Sequence, residues 1–118
     1  MPQYVDGFVL PMPKDKVSAY KQIAERACKI WMEHGALEYR ECIAEDTNTA
    51  FGLSFPVGIQ ANEGETVVFA WITYQSRAHR DEVNEKVMKD PRIAQEIEEM
   101  PFDSKRMLYS GFEVLVSS

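Results

Sequence analysis

Three observations predict an α+β fold in which a four-stranded sheet carries two helices on one face and a second copy of the chain on the other. The segment Val67-Val68-Phe69-Ala70-Trp71-Ile72-Thr73-Tyr74 is uncharged and is β-branched or aromatic everywhere except Ala70. It is short for a helix and apolar on both alternating faces, so it reads as a strand covered on both sides. Only two long helical patterns accompany it, enough to cover one face of a sheet. The elements also follow the order strand–helix–strand–(extra strand)–strand–helix–strand, two βαβ halves that build a ferredoxin-like sheet.

The first strand is expected from Tyr4 to Leu10, stopped by Pro11-Met12-Pro13, whose prolines remove backbone donors. Asp15 then suits the first turn of a helix. Val17, Tyr20, Ile23, Ala24, Ala27, Ile30, Trp31 and His34 recur at three- and four-residue intervals as one apolar stripe, and Gly35 supplies a left-handed stop. A second, more polar strand follows from Ala36 to about Asp46, as befits an edge. After the turn residues Thr47-Asn48-Thr49, Phe51, Leu53, Phe55, Val57 and Ile59 alternate with Gly52, Ser54, Pro56, Gly58 and Gln60. That period of two predicts an extra strand, at an edge or bulged because of Pro56 and the glycines. Asn62-Glu63-Gly64-Glu65 turns into the buried strand. Ser76 caps a second helix reaching Lys89, and Asp90-Pro91 restarts it, with Ile93, Ile97 and Met100 continuing an apolar side. Pro101-Phe102-Asp103-Ser104 leads into a last strand, Arg106 to Val116, apolar on both faces. The first strand (Tyr4-Val5-Asp6-Gly7-Phe8) and the last (Tyr109-Ser110-Gly111-Phe112) echo one another, a hint that they are adjacent central strands.

A chain of 118 residues is expected to form one domain, residues 1–118. Its 45% apolar and 27% charged residues are ordinary for a water-soluble protein. No apolar run approaches the length of a membrane span, and the start has neither the basic nor the apolar part of a signal peptide, so a cytoplasmic location is expected. The net charge of -6, from 19 acidic and 13 basic residues, argues against nucleic acid as a partner. Cys28 and Cys42 have no paired spacing and read as reduced thiols.

The apolar content of the helix-free face calls for a partner. Leaving about ten such side chains wet would forgo on the order of 15–30 kcal/mol of burial, more than the roughly 5–15 kcal/mol that holds a whole domain together. A sheet-to-sheet homodimer, the dimeric α/β barrel, removes that deficit. The alternative is a monomer whose extra strand segment folds over the sheet.

Tyr4-Val5-Asp6-Gly7-Phe8, Val67-Val68-Phe69-Ala70-Trp71-Ile72, Asp90-Pro91-Arg92 and Met100-Pro101-Phe102-Asp103-x-Lys105-Arg106-Met107 resemble the YbaA-like family of small bacterial proteins, a domain of unknown function. The likeness runs nearly end to end and implies the dimeric α/β barrel. It implies no catalytic residues, because none are established for that family. The region from Ala50 to Gln60 matches least well. Other dimeric α/β barrels include cofactor-free oxygenases and small isomerases, but a shared fold does not carry activity.

No nucleotide loop, HExxH or paired-cysteine pattern is present, so no cofactor and no metal ion is expected. His34 suits a helix C-terminus, and His79 reads as solvated. Ser76, His79 and Asp81 cannot form a relay, since positions two apart on a helix point away from one another. Charges inside apolar strands carry more information. Asp6 shares its face with Tyr4, Phe8 and Leu10, Glu41 lies between Tyr39 and Ile43, and Glu113 between Gly111 and Leu115. A buried carboxylate has the raised pKa that general acids and bases need. The plainer readings are a cross-strand salt bridge to Arg40, Lys105 or Arg106, or exposure at an edge. Arg80 and Asn84 flank the Val83–Val87 stripe and lean toward the sheet; a buried structural bond would also explain Asn84. Arg106 with Asp103 suits a small anion or a local salt bridge. Trp31, Trp71 and Tyr109 suit an apolar cavity or the core. The leading expectation is a small-molecule site between helices and sheet, lined by Trp71, Tyr109 and some of Asp6, Glu41, Arg80, Asn84 and Arg106. The alternatives are an acid–base or oxygenase-type enzyme without a cofactor, and a non-catalytic structural or protein-interaction module.

Overall fold

The computed structural model describes residues 2–118. Its strands are β1 (Tyr4–Pro13), β2 (Glu38–Ile43), β3 (Glu65–Tyr74) and β4 (Leu108–Glu113), and its helices are α1 (Val17–Glu33), α2 (Phe55–Gly58), α3 (Arg77–Lys89) and α4 (Pro91–Glu98). They form one antiparallel sheet in the order β2-β3-β1-β4, the ferredoxin-like arrangement. Among the described residues no helix is long and apolar enough to cross a membrane.

Register decides what each face carries. Tyr4, Asp6, Phe8 and Leu10 of β1 stand beside Tyr74, Ile72, Ala70 and Val68 of β3, and these side chains face the helices. Tyr39 and Glu41 of β2 join that face opposite Ile72 and Ala70, and Tyr109 of β4 joins it opposite Phe8. The other face bears Phe69 and Trp71 of β3, Val9 of β1, and Leu108 and Phe112 of β4.

Two buried clusters hold helices to sheet. Tyr4, Ile72 and Tyr74 meet Ile30, Val83, Val87 and Ile93 at one end. Leu10, Met12, Val68 and Ala70 meet Tyr20 and Ala24 of α1 at the other. Ser76 caps α3 by accepting from the His79 N–H, and Asp90 caps α4 by accepting from the Arg92 N–H, with Pro91 in the first turn.

The second strand is shorter than expected, Glu38–Ile43 within 36–46, and the structure departs from the sequence reading in four further places. The extra strand expected over 51–60 does not form. Ser54 caps the single-turn helix α2 instead, and Pro56 sits in its first turn. A cap followed by an early proline satisfies the backbone locally, and this overrides the period-two pattern. Phe55 stacks edge-on against Phe69, 5.7 Å between ring centres, so this segment touches the sheet face opposite α1, α3 and α4. Second, β1 continues through Pro11 and Pro13 rather than stopping at Leu10. Pairing with β4 ends at Val9, while Lys14 N–H donates to Gly64 O on the β3 side at 2.9 Å. Pro11 and Pro13 therefore turn their donorless nitrogens to the vacant flank, where proline costs no ladder bond. Third, Asp15 lies in a separate 3₁₀ turn, Lys14–Lys16, ahead of α1. Fourth, β4 is adjacent to β1 but lies at the sheet edge, exposed throughout and shorter than expected.

The echo between β1 and β4 has a steric basis. Across the pair the ring of Tyr4 lies over Gly111, and on the opposite face the ring of Phe112 lies over Gly7. Each strand's glycine makes room for the other strand's aromatic ring.

Candidate functional site

A cavity of about 410 Å³ opens between the helices and the sheet where the two core clusters meet. Its floor is Phe8 and Ala70, and the small side chain of Ala70 leaves part of the room. Met100, Phe102 and Met107, from the connection between α4 and β4, close one side. Polar groups gather at its two ends.

At the first end, Asp6 lies on central strand β1 and is 1% exposed. Arg80 on α3 reaches down to it, with Nη1 2.7 Å from Asp6 Oδ1 and 3.0 Å from the Tyr109 hydroxyl oxygen. The Arg80 guanidinium also lies over the Tyr4 ring, 4.9 Å from its centre, and its Nε donates to Asp81 at 2.8 Å. One turn along α3, Asn84 Oδ1 accepts from Trp31 Nε1 at 3.1 Å and from the Tyr74 hydroxyl at 3.3 Å. Burial pushes the Asp6 carboxyl above its ordinary range, opposed by the Arg80 charge and by donors on Tyr109, Arg80 and Asn84.

At the second end, Glu41 on β2 accepts one phenol on each oxygen. Tyr20 donates to Oε1, and Tyr39 donates to Oε2 at 2.6 Å. Burial raises the Glu41 pKa, and the two hydroxyl donors oppose that rise. Burial and the Glu41 charge push both phenols far above their usual range, so they stay protonated donors. Each of these phenols packs against a further aromatic ring. Tyr20 meets Phe102 edge-on at 5.9 Å, and Tyr39 meets Trp31 at 6.2 Å. Glu41, Tyr20 and Tyr39 also line a second, outer cleft beside Cys28 and Val68, so they stand between that cleft and the inner cavity. In the row Glu41–Ala70–Phe8–Tyr109 the end residues are three strand spacings apart, roughly 14 Å.

Asp6, Glu41, Asn84 and Tyr109 thus line one cavity, with Arg80 bonded to its Asp6 end. Trp71 does not join them. It is an odd-numbered residue of β3 on the opposite face, where its indole N–H donates to Glu38 Oε1 at 2.8 Å. Arg106 is also elsewhere, bridging bidentately to Glu65 at 2.8 and 2.9 Å and donating to Gln60 O at 3.2 Å. Its partner is therefore Glu65 rather than Asp103, which caps the Lys105 N–H. The cross-strand salt bridges weighed for the strand carboxylates do not form either. Asp6 pairs with Arg80, Glu41 with phenols, Arg40 with Glu38, and Glu113 is exposed. Among the histidines, His34 caps α1 and pairs with Asp90 at 2.9 Å, while His79 Nδ1 accepts from the Gln75 N–H. The roles of Tyr20 and Tyr39 escape sequence reasoning because both fit apolar stripes. Their available signal is chemical: a buried phenol needs a partner, and Glu41 shares a face with Tyr39.

Among solved structures, a dimeric ferredoxin-like protein from an uncultured marine organism aligns over 100% of both chains, with a TM-score of 0.55 at 12% identity. That is a likeness of fold. The "Uncharacterized protein YbaA" of Escherichia coli (strain K12) is 46% identical over 114 residues, covering 97% of this chain and 97% of that protein. The protein of the same description from Shigella flexneri gives the same figures. Residues 3–104 match the family described as "Protein of unknown function (DUF1428)". With most of its length matched in this way, the chain belongs to the DUF1428 family, whose function is uncharacterised.

Proposed function

We propose that this protein is a cytoplasmic homodimer in which each protomer holds a small organic molecule in the cavity between helices and sheet. The observation that carries the binding reading is the cavity itself, about 410 Å³ of largely apolar space with a carboxylate cluster at each end. Ligand pockets commonly measure roughly 300–1,000 Å³ and combine apolar walls with a few convergent polar groups. The homodimer is supported by the sheet face opposite α1, α3 and α4, which α2 touches at Phe69 and where Phe69, Leu108 and Phe112 are still 42%, 56% and 55% exposed, and by the fold shared with a dimeric ferredoxin-like protein. In the row Cys42–Phe69–Val9–Leu108, no charge interrupts the four strands. The raised Glu41 carboxyl favours a second reading, acid–base catalysis on the bound molecule, which solvent deuterium appearing in the recovered ligand would detect.

Native mass spectrometry of gently purified protein tests the first reading. The expected result is a dimer carrying a reproducible extra mass that disappears in Ala70→Leu, a change that fills the cavity floor. A monomer overturns the assembly. A dimer with no added mass, unaltered by cell extract or metabolite mixtures, overturns the ligand.

A further inference from the structure

We propose that the cavity selects an organic cation, a protonated amine on a compact apolar body, and seats its ammonium group on Glu41. This rests on the binding reading above and names the class of molecule bound.

The two carboxylate clusters differ in one decisive respect. Asp6 already has its counter-charge in Arg80, 2.7 Å away and engaged on both flanks by Tyr109 and Asp81. That end is electrically complete and offers an anion no unused cation. Glu41 has no such partner: burial and the Tyr20 and Tyr39 hydroxyls act on it, and no basic side chain among the described residues forms an ion pair with it. Removing a carboxylate from water without a counter-charge costs several kcal/mol. The two phenols offset part of that cost and fix the group's orientation. Each oxygen receives one donor, and each keeps an unused lone pair, since an ionised carboxylate accepts at about four sites.

An incoming ammonium supplies both missing parts, the positive charge and the donors. The surroundings suit it as well. Tyr20 and Tyr39 bond the carboxylate, Phe102 and Trp31 pack against those two rings, and all four line the cavity, where an aromatic face can attract a cation. The remaining walls, including Leu10, Ile72 and Met100, suit an apolar body. An anionic ligand would meet two carboxylates and find both nearby cations engaged, Arg80 by Asp6 and Asp81, and Arg40, which borders the cavity, by Glu38 on the open face.

The two tryptophans allow the site to be watched directly. Trp31 lines the cavity, and its indole N–H bonds Asn84, whereas Trp71 lies on the opposite face of the sheet. Full-length ¹⁵N-labelled protein would be titrated with 2-phenylethylamine, 2-phenylethanol and phenylacetate, three probes of nearly one shape and three charges, while both indole N–H signals are followed. The expected result is a saturable shift of the Trp31 signal with Trp71 unmoved, and about tenfold tighter binding of the amine than of the alcohol. Phenylacetate should not bind. In Glu41→Gln, which retains partners for both phenols, the amine should fall to the level of the alcohol. Equal or tighter binding of the alcohol or the acid by the unaltered protein overturns the cation assignment and leaves the cavity reading standing. No Trp31 shift from any probe up to about 10 mM, the affinity expected of so small a ligand, overturns both.

Discussion

The two faces of this sheet share the same strands and a similar apolar composition, yet they handle polar groups in opposite ways. The helix-covered face buries Asp6 and Glu41 and gives each a dedicated set of donors. The open face leaves Phe69, Leu108 and Phe112 about half exposed and keeps its polar network, Glu38 with Arg40, Trp71 and Thr73, at one end. Apolar content alone therefore does not identify the site. The helix-covered side has a cavity and carboxylates shifted by burial, the features of a binding chemistry. The open side has the flat apolar rows that suit association.

The largest expected effect tests whether the buried pair belongs to the fold as well as to the cavity. Asp6→Ala removes the buried partner of Arg80 and leaves only the exposed Asp81 to balance it beside the Tyr4 ring, with side-chain exposures of 12% and 2% for Arg80 and Asp6. Removing one partner of such a pair costs about 3–5 kcal/mol, measurable by urea unfolding. A loss below about 1 kcal/mol would show that α3 is held by its apolar stripe alone. On the open face, Phe69→Lys with Leu108→Lys is expected to convert the proposed dimer to a monomer in sedimentation velocity while the circular dichroism is retained. Each site forgoes roughly 1.5–3 kcal/mol of burial. Unchanged sedimentation would move the assembly surface elsewhere.

Gly111→Ala probes the seam between the two faces. A β-carbon there would stand 2.7 Å from Tyr4 Cε2, and Tyr4 is buried against α3 with Arg80 over its ring. Overpacking of this kind costs about 1–3 kcal/mol, readable as a lowered melting temperature. Wild-type stability in this variant would mean that the Tyr4 ring has room to swing away.

The architecture is legible in the sequence where local chemistry and long-range packing agree. The uncharged run Val67–Tyr74, the stripe from Tyr20 to Ile30 and the Asp90-Pro91 restart all become the elements that their patterns predict. Segment 51–60 misleads because its alternation is compatible with two structures, and the choice is made by Ser54 and Pro56 rather than by hydrophobicity. Among the site residues, Asp6 and Glu41 stand out as charges in apolar strands. Their partners do not, because Arg80 lies 74 residues from Asp6 and Tyr20 lies 21 from Glu41. No short-range pattern encodes such pairs. Trp71 is drawn toward the cavity by sequence for a related reason: a strand apolar on both faces gives no sign of which face its helices cover.

The smallest effect gives the sharpest contrast, because β2 presents one carboxylate to each face. Glu41 has a pKa raised above 4.5 by burial, so the native chain holds that proton more tightly than the unfolded chain does. Below the unfolded value both states are protonated and the group is neutral toward folding. As pH climbs between 4.5 and the raised native value, the unfolded chain ionises first and native stability falls; above that window the penalty is complete. Glu41→Gln removes the penalty. It should stabilise the protein near pH 8 and change it by almost nothing near pH 4, the trade expected of a residue kept for binding. Glu38 runs the other way. Trp71 foremost, then Arg40, hold it below 4.5, so its contribution is present above the unfolded value and is lost as pH falls through the native one. Glu38→Gln should therefore weaken the fold at neutral pH and converge with wild type in acid. Opposite signs for two carboxylates three positions apart in the same strand would locate the cost of function on the helix-covered face. Equal signs would mean that the two faces treat charge alike and that the contrast between them is one of exposure only.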